Sequence, residues 1–199
     1  MKIVKVIRDY LPHDKCDELN SWVRKAIVDG RIGKGITTDR HYTDGHRVES
    51  PLRYTSRMYG LRYQYPQLVR DLHAQIEMEF GLTKWHFPQH THGRDGVVVS
   101  ATMPGGDVYL HRDPTDNQEP KEVLRCNILT SETEGGKIIV AGESYFLKKG
   151  DMMQYLVSRH EHEVKPVQGE AGCLRIMWMF GWYVDGDEWE LSINHRDGN

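Results

Sequence analysis

Hydrophobic positions recur at three- and four-residue intervals in only two stretches of this chain. Between Asp14 and Val28 the residues Cys16, Leu19, Trp22, Val23 and Ile27 fall on one helical face, and Gly30 supplies a stop. Between Pro66 and Phe80 the same spacing carries Leu68, Val69, Leu72, Ile76 and Phe80; Pro66 is suited to open a helix and Gly81 to end it. Elsewhere the pattern is one of short apolar runs cut by turn residues, which is how strands read. Ile3–Ile7 predicts a first strand. After Gly96 the segments Val97–Met103, Val108–Arg112, Val123–Thr130, Lys137–Val140, Ser144–Leu147, Met152–Val157, Glu163–Val167 and Cys173–Val184 predict the rest. Gly105-Gly106, Gly135-Gly136, Ala141-Gly142, Lys149-Gly150-Asp151 and Gly169–Gly172 mark the turns between them. Helices first and strands afterwards predict a mainly β protein whose double-sheet roll is braced by N-terminal helices.

Two segments carry no sustained period. Arg31–Gly60 is polar and longer than an ordinary connection, which suits a lid or binding loop, or a solvated loop with one or two short strands. Asp185–Asn199 is polar and predicts a short helix or a frayed end. The expected organisation is a single domain over residues 1–199, with helical support and lid loops in 1–95, the β core in 96–184 and a polar tail in 185–199.

Composition narrows the class without naming a function. At 199 residues the chain is about one domain, and 38% hydrophobic with 28% charged residues is ordinary for a globular protein. A formal charge of −3 offers no basic field for nucleic acid. No run approaches the roughly 20 apolar residues of a membrane span. Cys16, Cys126 and Cys173 stand at unrelated spacings, so neither a disulfide framework nor a zinc CxxC pair is suggested. Cys126 and Cys173 lie in apolar runs and are expected to pack as small hydrophobes in a reducing, cytoplasmic setting.

The candidate chemistry lies in Pro104–Pro114 and in the later stretch His160–Pro166. Residues two apart on a strand share a face, so His111 and Asp113 offer an imidazole and a carboxylate to the same side. Alone, that pair reads more readily as a surface ion pair with Arg112. His160 or His162 could complete a set of two histidines and one carboxylate; His162 is chosen because Glu-Val-Lys-Pro-Val after it returns to strand pattern. Such a set leaves coordination positions open and suits a non-haem Fe(II) oxygenase. Arg175, inside Cys-Leu-Arg-Ile-Met-Trp-Met-Phe, is a guanidinium among apolar neighbours and needs an acid partner, internal or bound. Arg125, in Val-Leu-Arg-Cys-Asn, raises the same question.

Taken in order, these motifs resemble the 2-oxoglutarate/Fe(II)-dependent dioxygenase superfamily, in its prolyl-hydroxylase-like branch, from about Leu11 to Trp182. The matching pieces are Tyr-Leu-Pro-His-Asp-Lys-Cys-Asp-Glu-Leu, Pro-Gly-Gly with His-Arg-Asp, Glu-Gly-Gly-Lys-Ile, Leu-Lys-Lys-Gly-Asp-Met-Met, His-Glu-Val-Lys-Pro-Val and an arginine before an aromatic strand. The resemblance implies a double-stranded β-helix, jelly-roll or cupin-like, with Fe(II) on His111, Asp113 and His162. It implies 2-oxoglutarate held at its distal carboxylate by Arg175, with Thr102 or Tyr109 adding a hydroxyl and Arg125 reaching the other end. Arg175 stands further beyond His162 than the usual family arginine, the extra turn being Gly169–Gly172. The implied reaction consumes O2 and 2-oxoglutarate, releases succinate and CO2 and hydroxylates an unactivated C–H, with ascorbate as a candidate reductant. A carboxylate at position 113 argues for hydroxylation over halogenation.

Rival readings are a cupin-like metal-binding module without turnover, and a zinc site using His90 and His92 with His160 and His162. A nucleobase demethylase would carry a second arginine shortly after Arg175, where this chain has Ile-Met-Trp-Met-Phe. The expected substrate is an amino acid, a prolyl peptide or another small polar molecule. Arg40, Tyr42 and Arg47 are candidates for a lid that recognises a carboxylate. Nothing in the sequence addresses oligomeric state.

Overall fold

The strands that read as unbroken apolar runs are those covered on both faces. The computed structural model describes residues 2–34, 52–56, 65–82, 96–115 and 121–195. Strands β1 (Val4–Ile7), β2 (Gly33–Lys34), β3 (Arg53–Ser56), β4 (Val97–Thr102), β5 (Val108–His111) and β6 (Glu122–Leu129) come first. They are followed by β7 (Glu134–Gly135), β8 (Ile138–Val140), β9 (Glu143–Tyr145), β10 (Met152–Leu156), β11 (His162–Val164), β12 (Val167–Gln168) and β13 (Arg175–Val184). The helices are α1 (His13–Val28), α2 (Gln67–Glu79) and α3 (Gly186–His195).

A seven-stranded antiparallel sheet in the order β1-β10-β6-β13-β4-β3-β2 faces a four-stranded one in the order β5-β11-β8-β9, and β12 pairs with β7. On the outer face of the large sheet, Val99, Ile128, Trp178 and Phe180 pack with Leu19 and Val23 of α1 and with Leu72 and Ile76 of α2. On its inner face Val123, Met153, Met177 and Tyr183 meet Ile138 and Val140 of the small sheet. With both faces buried, the central strands lose the alternation usual in a half-exposed antiparallel sheet. No helix among the described residues is long and apolar enough to cross a membrane.

The structure departs from the sequence pattern in a few places, each with a local cause. The expected strand Glu163–Val167 splits at Lys165-Pro166, because Pro166 has no N–H for the ladder; Val167 then pairs with Gly135 instead. The expected strand at Cys173 starts only at Arg175. Cys173 donates its N–H to Glu170 O at 3.1 Å in a closing turn and is exposed rather than packed as a small hydrophobe. The polar segment after Arg31 contributes β2 and β3 to the edge of the large sheet. The tail forms α3, whose Trp189 and Ile193 join the core.

Gly150-Asp151 ties the N-terminal strand to the roll. Asp151 accepts hydrogen bonds from Arg8 Nη1 at 2.5 Å, Lys148 N at 2.8 Å and Asp9 N at 3.1 Å. Burial opposes its charge, but these donors win and hold its carboxyl below the ordinary value of 3.8. Asp151→Ala would strand two backbone donors, and chemical denaturation is expected to show a loss of about 3 kcal/mol. A carboxylate depressed by folding contributes fully above its unfolded pKa and loses that contribution as pH falls through the folded one. The gap between wild type and variant should therefore close as pH drops below 3.8.

Candidate metal centre

His111 ends β5 and His162 begins β11, and the two are register partners across the small sheet. Facing partners on neighbouring strands share a side of the sheet, which brings the two rings to 4.3 Å between centroids at 49°. Asp113 follows two residues beyond β5, its N–H donating to Val157 O at 2.9 Å, so the chain past the strand is pinned to the end of β10. His111 Nε2 stands 3.4 Å from Asp113 Oδ1. One ligand atom from each of His111, Asp113 and His162 lies within 4.8 Å of the others.

Both imidazoles are oriented in the same manner. His111 Nδ1 contacts Tyr109 O at 2.7 Å and His162 Nδ1 contacts His160 O at 3.0 Å. A carbonyl can only accept, so each Nδ1 carries a proton, which leaves Nε2 as the ring nitrogen able to bind a metal. Burial, with the neighbouring His111 charge, pushes the His162 pKa down to about 4, so this ring is neutral at physiological pH. Burial alone would raise the Asp113 carboxyl. The hydrogen bond and charge of His111, with the charges of His162 and Arg125, outweigh it and hold Asp113 well below the usual carboxylate range. Two imidazole nitrogens and one carboxylate are a donor set that fits Fe(II) with positions left open.

Across from the triad the large sheet presents arginines. Arg53 on β3, Thr102 on β4 and Arg175 on β13 are successive register partners, all buried, and so form one row. That row lies on the inner face, since Met177, two residues from Arg175, belongs to the core between the sheets. Arg53 Nε donates to Ser100 Oγ at 2.5 Å. The Arg175 guanidinium makes no hydrogen bond or ion pair with any described residue; burial, then the charge of Arg53, lowers its pKa to about 10. Tyr155 stands between the two groups, its ring 5.3 Å from that of His162 and its hydroxyl within electrostatic reach of Asp113, Arg125 and Arg175. Burial raises the Tyr155 pKa, so the phenol stays protonated.

Gly136 is what lets Arg175 lie where it does. A Cβ at position 136 would fall 2.5 Å from Arg175 Cδ and 2.6 Å from its Nε, and the backbone there is left-handed at φ 62°. Gly136→Ala is expected to displace the guanidinium and weaken carboxylate binding at least tenfold. Calorimetric titration with a dicarboxylic acid would measure it.

The structure thus brings His111, Asp113 and His162 together with Thr102 and Arg175 on the facing sheet. Arg125 Nη2 lies 3.9 Å from Asp113 Oδ2, beside the triad. His160, the alternative third ligand, turns its ring away to Glu190, with Nε2 at 2.7 Å from Oε1. Tyr109 is half-exposed, and its carbonyl is the atom that holds His111. Arg40, Tyr42, Arg47, His90 and His92 lie outside the described residues. Sequence reasoning missed Arg53, Tyr155 and Asn127. Asn127 has a buried Oδ1 without a partner among the described residues, and its i+2 spacing from Arg125 was a legible signal that the two share a face; Arg53 had none, because only register brings it to Arg175.

No family model and no curated protein matches this chain by sequence. Its fold is nevertheless shared with solved oxygenases. A prolyl-4-hydroxylase from Pseudomonas putida superposes with a TM-score of 0.62 at 16% identity, covering 91% of each chain. A Trichoplax adhaerens prolyl hydroxylase, solved with a hypoxia inducible factor oxygen degradation domain peptide fragment, gives 0.64 at 16% identity over 96% of this chain and 87% of its own. HygX from Streptomyces hygroscopicus, solved with nickel, 2-oxoglutarate and hygromycin B, gives 0.59 at 11% identity over 91% and 82%. The protein therefore has the double-stranded β-helix fold of the prolyl-hydroxylase type.

Proposed function

We propose that this chain is a non-haem Fe(II) and 2-oxoglutarate-dependent dioxygenase that hydroxylates an unactivated C–H of an amino acid, a prolyl peptide or a similar small polar substrate. The observation that carries the reading is the pairing, on facing sheets, of a preoriented His-Asp-His set with a buried arginine that has no acid partner among the described residues. Neither half requires the other for folding, whereas a dicarboxylic co-substrate spanning metal and arginine requires both. The solved relatives with 2-oxoglutarate and with a peptide support the same reading.

His111, Asp113 and His162 would hold the iron. Bound there, iron would supply the activation of O2 that couples conversion of 2-oxoglutarate to succinate and CO2 with hydroxylation of the substrate. The chain's own residues fix the geometry. Arg125 keeps Asp113 ionised and directed at the metal. Arg175 takes the distal carboxylate in its fork, and Thr102, one strand away, donates a hydroxyl hydrogen to the same group. Tyr109 is half-exposed and orients His111 through its carbonyl. Burial of the row excludes water from the acid's far end and strengthens each of these contacts. For the substrate we assign Arg40, Tyr42 and Arg47 to carboxylate recognition; replacing all three should raise the substrate KM while leaving 2-oxoglutarate affinity unchanged.

The test is anaerobic reconstitution with Fe(II), followed by visible spectroscopy as 2-oxoglutarate is added, then a screen of amino acids and peptides for succinate release. A weak charge-transfer band that disappears in His162→Ala supports the oxygenase. Metal binding without a band, in protein shown to be loaded with iron, would instead favour the cupin-like binding module.

A further inference from the structure

We propose that Glu190, on the C-terminal helix α3, is a positioning residue for the metal ligand His162 and acts on it through His160. The inference rests on the metal-centre reading above and concerns how the fold aims one of the ligands. The path is a short series of contacts. His162 Nδ1 donates to the His160 carbonyl at 3.0 Å, and the His160 ring is in turn held by Glu190 Oε1 at 2.7 Å. A carboxylate can only accept, so the His160 proton on that side sits on Nε2. The His160 backbone N–H donates to Leu156 O at 3.0 Å. With its N–H and its ring both fixed, the His160 peptide cannot turn its carbonyl away from His162 without breaking one of these bonds.

Glu190 is itself buried and braced. Its Oε2 accepts from Arg159 Nη1 at 3.2 Å, and Arg159 also reaches Asp187 at 2.8 Å and Glu122 at 3.4 Å. Glu122 in turn bonds Ser158 Oγ, so the whole turn between β10 and β11 is clamped. The seating of α3 is close: a Cβ on Gly186 would fall 2.6 Å from Arg159 Nη2 and 2.9 Å from its Cζ. The same turn carries Val157, whose carbonyl accepts the Asp113 N–H. The carbonyl that orients His111 belongs to Tyr109 in its own strand β5, at the edge of the small sheet.

A merely structural Glu190 would dock α3 and neutralise Arg159, and its loss would lower stability without changing how a folded molecule binds metal. The positioning role predicts a change at the metal itself. The probe is Co(II) added to the full chain under anaerobic conditions, followed by its visible absorption and by competition with a chelator. Wild type must first bind Co(II); failure there refutes the metal-centre reading, which is a different result from failure of this inference. Glu190→Gln keeps the volume but can accept from only one of its two donors, and His160→Phe keeps the ring shape without the hydrogen bond. Each is expected to weaken Co(II) binding about tenfold and to alter the absorption. The double variant should lose no more than the worse single, because both sever one path. Asp187→Asn, which removes an exposed Arg159 partner and does not touch His160, should bind Co(II) like wild type. Wild-type affinity and spectrum in His160→Phe, which leaves the Glu190–Arg159 pair intact, would overturn the proposal. So would losses that multiply in the double variant, or an equal loss in Asp187→Asn.

Discussion

Arg175→Met is expected to raise the melting temperature of the ligand-free chain while removing its affinity for 2-oxoglutarate. The two effects have one cause. Arg175 is 5% exposed, finds no acid among the described residues and lies in one row with the buried Arg53. Burial and that neighbouring charge both disfavour its protonated form, which is why its pKa falls to about 10. Replacing a poorly compensated buried charge by an apolar side chain of similar reach is commonly stabilising, here by about 1–2 kcal/mol. Under the proposed function, the carboxylate of the bound acid would offset that charge. Removing one partner of a desolvated charge pair costs about 2–5 kcal/mol, so the 2-oxoglutarate Kd should rise by a factor of about thirty or more. Thermal shift reads both effects at once: 2-oxoglutarate should raise the melting temperature of metal-loaded wild type and leave Arg175→Met unmoved. A destabilised variant that still responds to 2-oxoglutarate would place the acid elsewhere.

The second large effect is expected at the triad. Asp113→Ala and His162→Ala should each weaken Fe(II) or Co(II) binding by more than about a hundredfold, since outer partners alone account for as much as that. The two should differ in another respect. Asp113 places a negative charge beside both His162 and Tyr155, and it stands 3.9 Å from Arg125. Its loss leaves that guanidinium facing two imidazoles, so Asp113→Ala should also cost stability; His162→Ala removes a group that folding already holds neutral and should cost less. Equilibrium dialysis with metal analysis, beside chemical denaturation, separates the two. His92→Ala should leave metal binding intact, and a lost site there would revive the zinc arrangement.

Much of the triad could be read because its chemistry is local. His111 and Asp113 are two residues apart on one strand and its extension, and His162 is distinguished from His160 by which of them the strand period reaches. Arg175 could be read because a charge inside an apolar strand is anomalous by itself. Arg53 could not. It sits in a polar segment where an arginine is unremarkable, and it becomes part of the site only because β3 pairs with β4 in a register that sets it opposite Thr102. Tyr155 was hidden in a different way. Met-Met-Gln-Tyr-Leu is buried throughout, so nothing in the pattern says which side of the sheet the phenol faces.

The sequence by itself determined the order of elements, the two apolar helix faces, the turns and the residue types able to bind a metal and an acid. These follow from periodicity, backbone freedom and side-chain chemistry, all of which act over a few residues. The tertiary structure decided which face of each doubly buried strand looks into the roll, that β3 adds an arginine opposite Thr102, and that α3 is a packed brace and not a loose tail. Those outcomes depend on register and on close approach between segments far apart in the chain, where a single residue of slip would turn a side chain to the opposite face.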